Sequence, residues 1–343
     1  MSTYDLVAGL PLEVEGYALD GLSRTVSSNF ERRTTVVRLQ GGGEEGVGED
    51  VTYAPDEHER QQRLGPVLPL AGSWTFDAFA EHVGTLDLFP EGEPEQPAYR
   101  LYRRWGFESA ALDLALRQAG TSFGAAVGRE YRPVRFVVST REDIDRFLAV
   151  QPTLEFKVDP MSTWSRALID ELAETGRIRV TDLKGYYRGT VVDQPADPRL
   201  YRDVVEGFPD AVIEDAAFTD ETRPILEAAV DRLSFDAPIH SVEDVQALEL
   251  EPRWLNIKPS RFGSVRRLLD TIAYGEEHGI TLYGGGQFEL GVGRSHIQMF
   301  ASLYYADSAN DVAPSLYNEP QLPKEAPASP LPAPSTPRGL AFE

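Results

Sequence analysis

Five charged side chains stand one at a time near the ends of short apolar runs in the middle of the chain. They are Lys157 in TLEFKVD, Asp182 in IRVTDLKG, Glu214 in AVIED, Asp236 in LSFDAPIH and Lys258 in LNIKPSRFG. The gaps between them are 25, 32, 22 and 22 residues, each about the length of one strand and one helix in a parallel α/β fold. The spacing predicts that all five lie at the carboxyl ends of barrel strands, where barrel enzymes place their chemistry.

If these strand ends face one cavity, three carboxylates converge between two lysines. Asp182, Glu214 and Asp236 are hard oxygen ligands without imidazole or thiolate, a set that suits Mg²⁺, with Mn²⁺ as a substitute, rather than zinc or copper. Such a metal can accept a carboxylate substrate and stabilise the dianion left when the α-proton is removed. Because that proton is weakly acidic, a pre-positioned base with a lowered pKa is needed, and Lys157 and Lys258 are the candidates.

Each of these residues also has an ordinary structural interpretation. A single acid at a strand end is more often a helix cap or an ion-pair partner, and Asp236 before Ala-Pro could serve a turn. Lys258 is harder to explain in this way, because a strand lysine in an apolar run is costly to bury unless it is paired or functional. The five placements together are more specific than any one of them.

The elements that must position these residues follow Gly128 in the sequence. Strand patterns alternate with helix patterns, which predicts βαβ units and a parallel sheet. About seven or eight strands fit between residues 134 and 310, which favours a closed TIM-type barrel over residues 131–317. The predicted strands are 134–140, 153–158, 178–182, 211–214, 233–236, 254–258 and 280–283, and the predicted helices include 164–175, 221–232, 242–248 and 263–278.

Residues 1–130 predict a smaller α+β domain. Strand pieces are expected at Leu10–Leu22, Thr34–Gln40 and Asp50–Tyr53, with helices at Trp74–Val83 and Tyr99–Ala119. The glycine-rich run Gly41–Asp50 is expected to be a mobile hairpin loop. Residues 318–343 are rich in proline and predict an extended tail, in which Leu340 and Phe342 could anchor the chain end on another surface.

Composition limits the classes of partner and site. The 55 acidic against 33 basic residues give a net charge of −22, which repels nucleic acid and anionic membrane, so neither is expected as a partner. The chain has no cysteine, which excludes disulfides, zinc–thiolate sites and a thiol nucleophile. The first residues lack the basic segment of a secretory signal, and no apolar run is long enough for a membrane span. A cytoplasmic protein is expected, with a homo-oligomer as one assembly that it could form.

The residues around this constellation resemble the enolase superfamily, in its muconate lactonizing enzyme and o-succinylbenzoate synthase branch. NIKPSRFG around Lys258 resembles the base motif of the sixth strand, and YGGGQFELGVGRSH, from Tyr283 to His296, resembles the seventh- and eighth-strand motif. Asp182, Glu214 and Asp236 match the three metal ligands in order, and GVGED, ending at Asp50, resembles a turn of the family's capping domain. The resemblance covers nearly the whole chain.

The resemblance implies a modified (β/α)7β barrel with an N-terminal capping domain, and a tail that returns to the cap. It also implies Mg²⁺ and abstraction of the α-proton of a small-molecule carboxylate through a metal-stabilised enediolate. Lys157 and Lys258 would be the acid/base pair, and the cap loop near Leu22–Phe30 would select the substrate. Substrate contacts are expected from Lys184, Gly285, Gly286, Gln287 and Glu289.

Three positions depart from the family pattern. The first lysine of the family's KxK motif is Glu155 here; in an alternative alignment Lys157 takes that first position and Asp159 stands where the base should be. The DxN motif reads Asp182-Leu183-Lys184, and Glu214 is followed by Asp215 rather than by Gln-Pro. The predicted function is therefore a divergent lyase or cycloisomerase. A two-lysine racemase or epimerase of N-acyl amino acids or dipeptides, and a non-catalytic ligand-binding barrel, are the alternatives.

Overall fold

A computed structural model describes residues 2–27, 30–141, 143–190 and 192–342. In its N-terminal part, an antiparallel three-stranded sheet packs on a long helix. The strands of this part are β1 (Pro11–Val14), β2 (Gly16–Thr25), β3 (Glu31–Gly41), β4 (Glu44–Asp50) and β5 (Gly72–Thr75), with β2-β3-β4 in one sheet and β1-β5 in a second. The helices are α1 (Asp5–Ala8), α2 (Pro55–Leu64), α3 (Phe76–Thr85), α4 (Tyr99–Gln118) and α5 (Phe123–Val127).

The glycine-rich run after β3 is a strand, and its prediction as a mobile loop was wrong. Only Gly42 and Gly43 turn, both with positive φ, and β4 then pairs with β3 up to Asp50. The reason is helix packing: a Cβ on Gly46 or Gly48 would overlap the backbone of α4. The glycines let the sheet approach the helix closely, and the strand expected at Asp50–Tyr53 is displaced towards the N-terminus.

The remaining chain forms a curled parallel sheet surrounded by helices, as predicted. Seven described strands pair in chain order: β6 (Val138–Thr140), β7 (Phe156–Val158), β8 (Ile178–Asp182), β9 (Val212–Glu214), β10 (Leu233–Phe235), β11 (Trp254–Ile257) and β12 (Thr281–Gly284). The helices are α6 (Asp145–Leu148), α7 (Arg166–Glu174), α8 (Pro198–Gly207), α9 (Arg223–Glu227), α10 (Val242–Gln246), α11 (Pro259–Phe262), α12 (Val265–Glu277) and α13 (Val292–Tyr304).

The gap between the first and last strands is bridged by Asn310. Its carbonyl oxygen accepts from the backbone N–H of Val137 at 2.8 Å, and its side-chain oxygen accepts from Gly284 N at 2.7 Å. A single buried asparagine therefore links β6 to β12 where a full eighth strand would otherwise close the barrel.

The C-terminal tail contacts both parts of the chain. Leu331 pairs with Val134 beside the barrel, and further along Leu340 N donates to the carboxylate of Asp113 on α4 at 2.8 Å. Leu340 and Phe342 are buried. The domain bounds at residues 130 and 317 stay a prediction. Within the described residues, no helix is long and apolar enough to cross a membrane.

Candidate active site

The five residues singled out by spacing lie at the carboxyl ends of consecutive strands. Lys157 is on β7, Asp182 and Glu214 end β8 and β9, and Asp236 and Lys258 directly follow β10 and β11. The register pairs Asp182 with Glu214, while Lys157 pairs with Val180, two residues before Asp182 and therefore lower in the barrel. All five side chains are buried, although no short-range sequence feature brings them together. Parallel strand order alone does so.

Lys157 lies between two of the predicted ligands. Its Nζ is 3.1 Å from Asp182 Oδ2, donates to Glu214 Oε1, and is 3.8 Å from Asp311 Oδ2. Burial alone would lower the pKa of Lys157, but the Asp182 and Glu214 charges outweigh burial and raise it well above its ordinary value. In this state the ammonium compensates the carboxylates and is not a free base.

The carboxylates that come together most tightly are Asp182, Glu214 and Asp215. Their ligand oxygens all lie within 4.8 Å of one another, and all three residues are buried. Asp215 was not among the predicted ligands. It has a φ of 51°, and its carboxylate accepts the backbone N–H groups of Asp236 at 2.9 Å and Ala237 at 3.0 Å. The replacement of Gln-Pro by Asp-Ala after Glu214 was the signal that could have identified it.

Asp236, the third predicted ligand, is not part of this tight group. Its Oδ2 accepts from Lys258 Nζ at 2.7 Å and from the Tyr187 hydroxyl at 2.8 Å. Its Oδ1 is 3.0 Å from Arg261 Nε, yet neither atom makes a well-directed hydrogen bond within the described residues. Burial opposes ionisation, but the Arg261 and Lys258 charges keep the pKa of Asp236 below its ordinary value. Asp236 therefore forms ion pairs with two cations instead of joining the three clustered carboxylates.

The acidic cluster is short of positive charge. Burial, reinforced by neighbouring carboxylates, raises the pKa of Glu214 to about 8 and that of Asp215 to about 7. Asp182 behaves differently: burial would raise its pKa, but Lys157 and Lys184 outweigh burial and hold it well below its ordinary value. The raised pKa values of these two buried carboxyls reflect the concentration of acidic groups around them, which a further cation would offset.

A divalent metal fits this donor set. The donors are carboxylate oxygens, which hard cations prefer, and Asp236 Oδ1 is a buried oxygen without a well-directed donor in the described residues. Glu214 is held in place by Asn256 Nδ2 at 3.1 Å and by the Tyr283 hydroxyl. These two hydrogen bonds orient the Glu214 carboxylate, which belongs to both the predicted ligand set and the observed acidic cluster.

Lys184 and Asp159 lie next to this cluster. The Lys184 backbone N–H donates to Asp182 Oδ1 at 3.1 Å, and its ammonium donates to Asp182 Oδ2 and lies 3.6 Å from Asp159 Oδ1. Arg141 Nε donates to Asp159 Oδ2 at 2.9 Å. Asp159 directly follows β7, two residues beyond Lys157, so the alternation along the strand puts both side chains on the same side, and the choice between the two alignments stays a prediction.

Glu155 is not close to the cluster. Its carboxylate forms a two-pronged ion pair with Arg135, at 2.7 and 2.8 Å, and accepts from Arg179 at 2.7 Å. Burial would raise the pKa of Glu155, but the bonds to Arg135 outweigh it and lower that pKa. Glu155 therefore serves a structural ion-pair network.

The four other predicted substrate contacts lie on the loop after β12. A Cβ on Gly285 would come within 2.8 Å of Lys258 Cε, and a Cβ on Gly286 within 2.5 Å of Glu289 Oε2, so both glycines make room for site residues. Gln287 instead faces the cap, bonding to Tyr53 at 3.0 Å and Tyr102 at 3.3 Å. Glu289 Oε1 accepts from Gln287 N at 2.7 Å.

Two buried charges of the cap hold this loop in place: Arg32, which the sequence did not reveal, and Glu49, which belongs to the GVGED segment that resembles the family's capping domain. The Arg32 guanidinium donates to the carbonyl oxygens of Gln287 at 3.0 Å and Phe288 at 3.3 Å. Glu49 accepts from the N–H groups of Leu290 at 2.8 Å and Gly293 at 2.8 Å. The cap and the catalytic end of the barrel are therefore joined by charge-assisted hydrogen bonds.

The predicted substrate-selecting cap loop, Leu22–Phe30, borders the same loop of the barrel. The rings of Phe30 and Phe288 meet edge to face at 5.6 Å, and Leu22 packs against Gly291. Residues 28 and 29 lie outside the described residues. The described ends of the cap loop give the site an apolar border.

Two matches place the chain among known families. The C-terminal and N-terminal domains of a family described as a domain of unknown function, DUF8230, match residues 130–319 and 5–126. An N-succinylamino acid racemase from Thermus thermophilus is 26% identical in an alignment of 330 positions that covers 86% of this chain and 82% of that protein.

Solved structures show the same fold. The muconate lactonizing enzyme from Pseudomonas putida matches with a TM-score of 0.68 and 19% identity over 96% of both chains. An enolase-superfamily member of unknown function from Enterococcus faecalis V583 matches with a TM-score of 0.61 and 22% identity, over 87% of this chain and 86% of that one. Both likenesses extend over the cap and the barrel.

Proposed function

We propose a function for a chain that belongs to the DUF8230 family and has the enolase-superfamily fold: divalent-metal-dependent removal of the α-proton of a small-molecule carboxylate. The observation that supports it is the buried acidic cluster at the barrel end, with Lys258 beside it. The relatives that share the fold are enzymes, among them a cycloisomerase and a racemase. We propose Mg²⁺ as the metal, held by Asp182, Glu214 and Asp236.

Asp236 is preferred to Asp215 as the third ligand. Both oxygens of Asp215 already accept backbone N–H groups that hold the end of β10 in place. Asp236 Oδ1 has only an ill-directed neighbour in Arg261. A divalent ion there would polarise a substrate carboxylate and stabilise the charge that develops at the α-carbon.

Lys258 is the residue we assign as the base. It is buried and fixed by Asp236, and Gly285 leaves room beside its Cε. Lys157 is enclosed by Asp182 and Glu214 and pairs with Val180, two residues below Asp182 in the barrel. One-base chemistry, a dehydration of the o-succinylbenzoate synthase kind or a cycloisomerisation, therefore fits the geometry better than a reaction that needs two lysines.

A racemase or epimerase is the second candidate. It is favoured by the similarity to the N-succinylamino acid racemase. In that reaction Lys157 and Lys258 would each serve one face of the α-carbon. Lys157 would then have to leave its two carboxylate partners, and the metal would have to take its place as their counter-charge.

The substrate contacts follow from the charges at the site. Lys184 and Arg261, at 13% and 7% side-chain exposure, are the cations next to the proposed ligands that can meet a substrate carboxylate. Gly285 and Gly286 let the loop pack closely against Lys258 and Glu289, and Phe30 and Phe288 favour an apolar group at the cap side. Gln287 and Glu289 hold the shape of the loop through their hydrogen bonds to the cap and to the loop backbone.

The test is α-proton exchange in D₂O, followed by NMR over a panel of N-acyl amino acids and hydroxy acids with Mg²⁺. We expect exchange with the wild type and with Lys324→Ala, a control that removes an exposed lysine of the tail, and none with Lys258→Ala. Exchange of only one enantiomer by the wild type, kept in Lys157→Ala, indicates one-base chemistry, whereas exchange of both enantiomers by the wild type, reduced to one in Lys157→Ala, indicates two bases. A wild type that exchanges no acid in the panel favours a ligand-binding barrel without turnover.

A further inference from the structure

The geometry points to Lys184 as an internal competitor of the divalent cation, one that makes metal and anionic ligand bind with positive coupling. This inference rests on the proposed metal site. It concerns a residue that the site does not need for holding the metal. Its ammonium occupies one oxygen of Asp182, so a metal must displace it or share that carboxylate.

The position of Lys184 is built into the backbone. The residue has a φ of 53°, in the left-handed region that is unfavourable for a long side chain. In this conformation its N–H and its ammonium both reach the carboxylate of Asp182, one oxygen each. Asp182 is fully buried, and the Lys184 side chain is only 13% exposed. A strained, doubly bonded cation on a proposed metal ligand is a specific arrangement.

Lys184 also has a second place to go. Asp159 Oδ1 lies 3.6 Å from its ammonium and has no hydrogen-bond partner within the described residues. The ring of Tyr187, 5.1 Å away, offers a further contact for the cation. A modest side-chain rotation therefore releases Asp182 to a metal without leaving the ammonium alone in a buried site.

The consequence is a coupling between the two ligands. In the ligand-free protein, the ammonium repels a dication at Asp182 and weakens its binding. A substrate carboxylate gives the ammonium a new partner, so the anion removes the competitor and the metal binds more tightly. Such coupling is reciprocal, and bound metal must strengthen anion binding by the same factor.

The experiment is a titration of the ligand-free protein with Mn²⁺, with free Mn²⁺ followed by electron paramagnetic resonance. Lys184→Asn removes the charge and suits the left-handed backbone, so we expect its Kd to fall by about tenfold or more. Lys184→Arg keeps the charge and should bind about as weakly as the wild type. Lys324→Asn is the matched control, because it removes the same charge from an exposed position in the tail.

The outcomes separate this inference from the function on which it rests. Tight Mn²⁺ binding by Lys184→Asn alone supports it. Equal Kd values in the wild type, Lys184→Asn and Lys324→Asn overturn it and leave the metal site intact. Equal tightening in Lys184→Asn and Lys324→Asn overturns it in favour of a general charge effect. No Mn²⁺ binding by any variant overturns both the inference and the proposed metal.

Discussion

Replacing Lys157 by methionine removes one buried ammonium and keeps most of the side chain. Asp182 and Glu214 then lose the cation that lies between them, while their own burial is unchanged. Breaking a buried ion pair by removing one partner costs about 3–5 kcal/mol, because it leaves uncompensated charge in the interior. We expect Lys157→Met to be destabilised by about this amount without divalent metal.

The size of the effect on melting follows from chain length. At about 2.1 cal/mol/K per residue, the unfolding entropy of a chain of 343 residues is about 0.7 kcal/mol/K near 60 °C. A loss of about 3–5 kcal/mol then lowers the Tm by roughly 4–7 °C. Free metal at one hundred times its Kd would stabilise the folded protein by about 2.7 kcal/mol, which raises the Tm by roughly 4 °C. The rise is larger in Lys157→Met if the loss of the ammonium tightens metal binding.

The assay is differential scanning calorimetry in EDTA and in millimolar Mg²⁺. Lys258→Met is the matched control, because Asp236 keeps Arg261 as a cationic neighbour and should tolerate the loss better. The reasoning fails if Lys157→Met melts like the wild type in EDTA. It also fails if Mg²⁺ raises the Tm of the variant less than that of the wild type.

Three further predictions concern the cap, the interior and the acidic cluster. Gly48→Ala should destabilise the protein by about 1–3 kcal/mol in urea unfolding, because its Cβ would overlap the backbone of α4, whereas Gly16→Ala, with open space at its Cβ, should change little. Burial lowers the pKa of His296 to about 4, so the folded state resists protonation of this ring. The free energy of unfolding of the wild type should therefore fall by up to about 3 kcal/mol as the pH falls from 6.5 towards 4. His296→Phe should flatten this pH dependence, whereas His278→Phe, at an exposed position, should not. Because burial raises the pKa of Glu214 to about 8, Mg²⁺ binding at pH 7 should release on the order of one proton, and a calorimetric binding heat that does not vary between buffers of different ionisation enthalpy would contradict this.

The sequence predicted the barrel well, because parallel strands bury both faces and read as short apolar runs. The predicted strands at 178–182 and 233–236 correspond to β8 and β10 within one residue. It failed at Gly41–Asp50, where glycines usually mark a loop. These glycines serve the close approach of α4, a tertiary contact that no local pattern contains.

The site was predictable in position but not in detail. Regular spacing placed Lys157, Asp182 and Lys258 at strand ends, as the structure has them. Spacing does not show which carboxylates contact one another, because this depends on the neighbouring cations. Asp236, for example, forms ion pairs with Arg261 and Lys258. The ligand set and the roles of the two lysines therefore stay predictions.

The measurement that tests the central claim most directly is a crystal structure with Mn²⁺, located by its anomalous scattering. The account predicts one strong peak among Asp182, Glu214 and Asp236, within about 2.5 Å of an oxygen of each, with Lys157 moved off the carboxylates. A cluster in which Lys157 still lies between Asp182 and Glu214, with no peak at millimolar Mn²⁺, would contradict it.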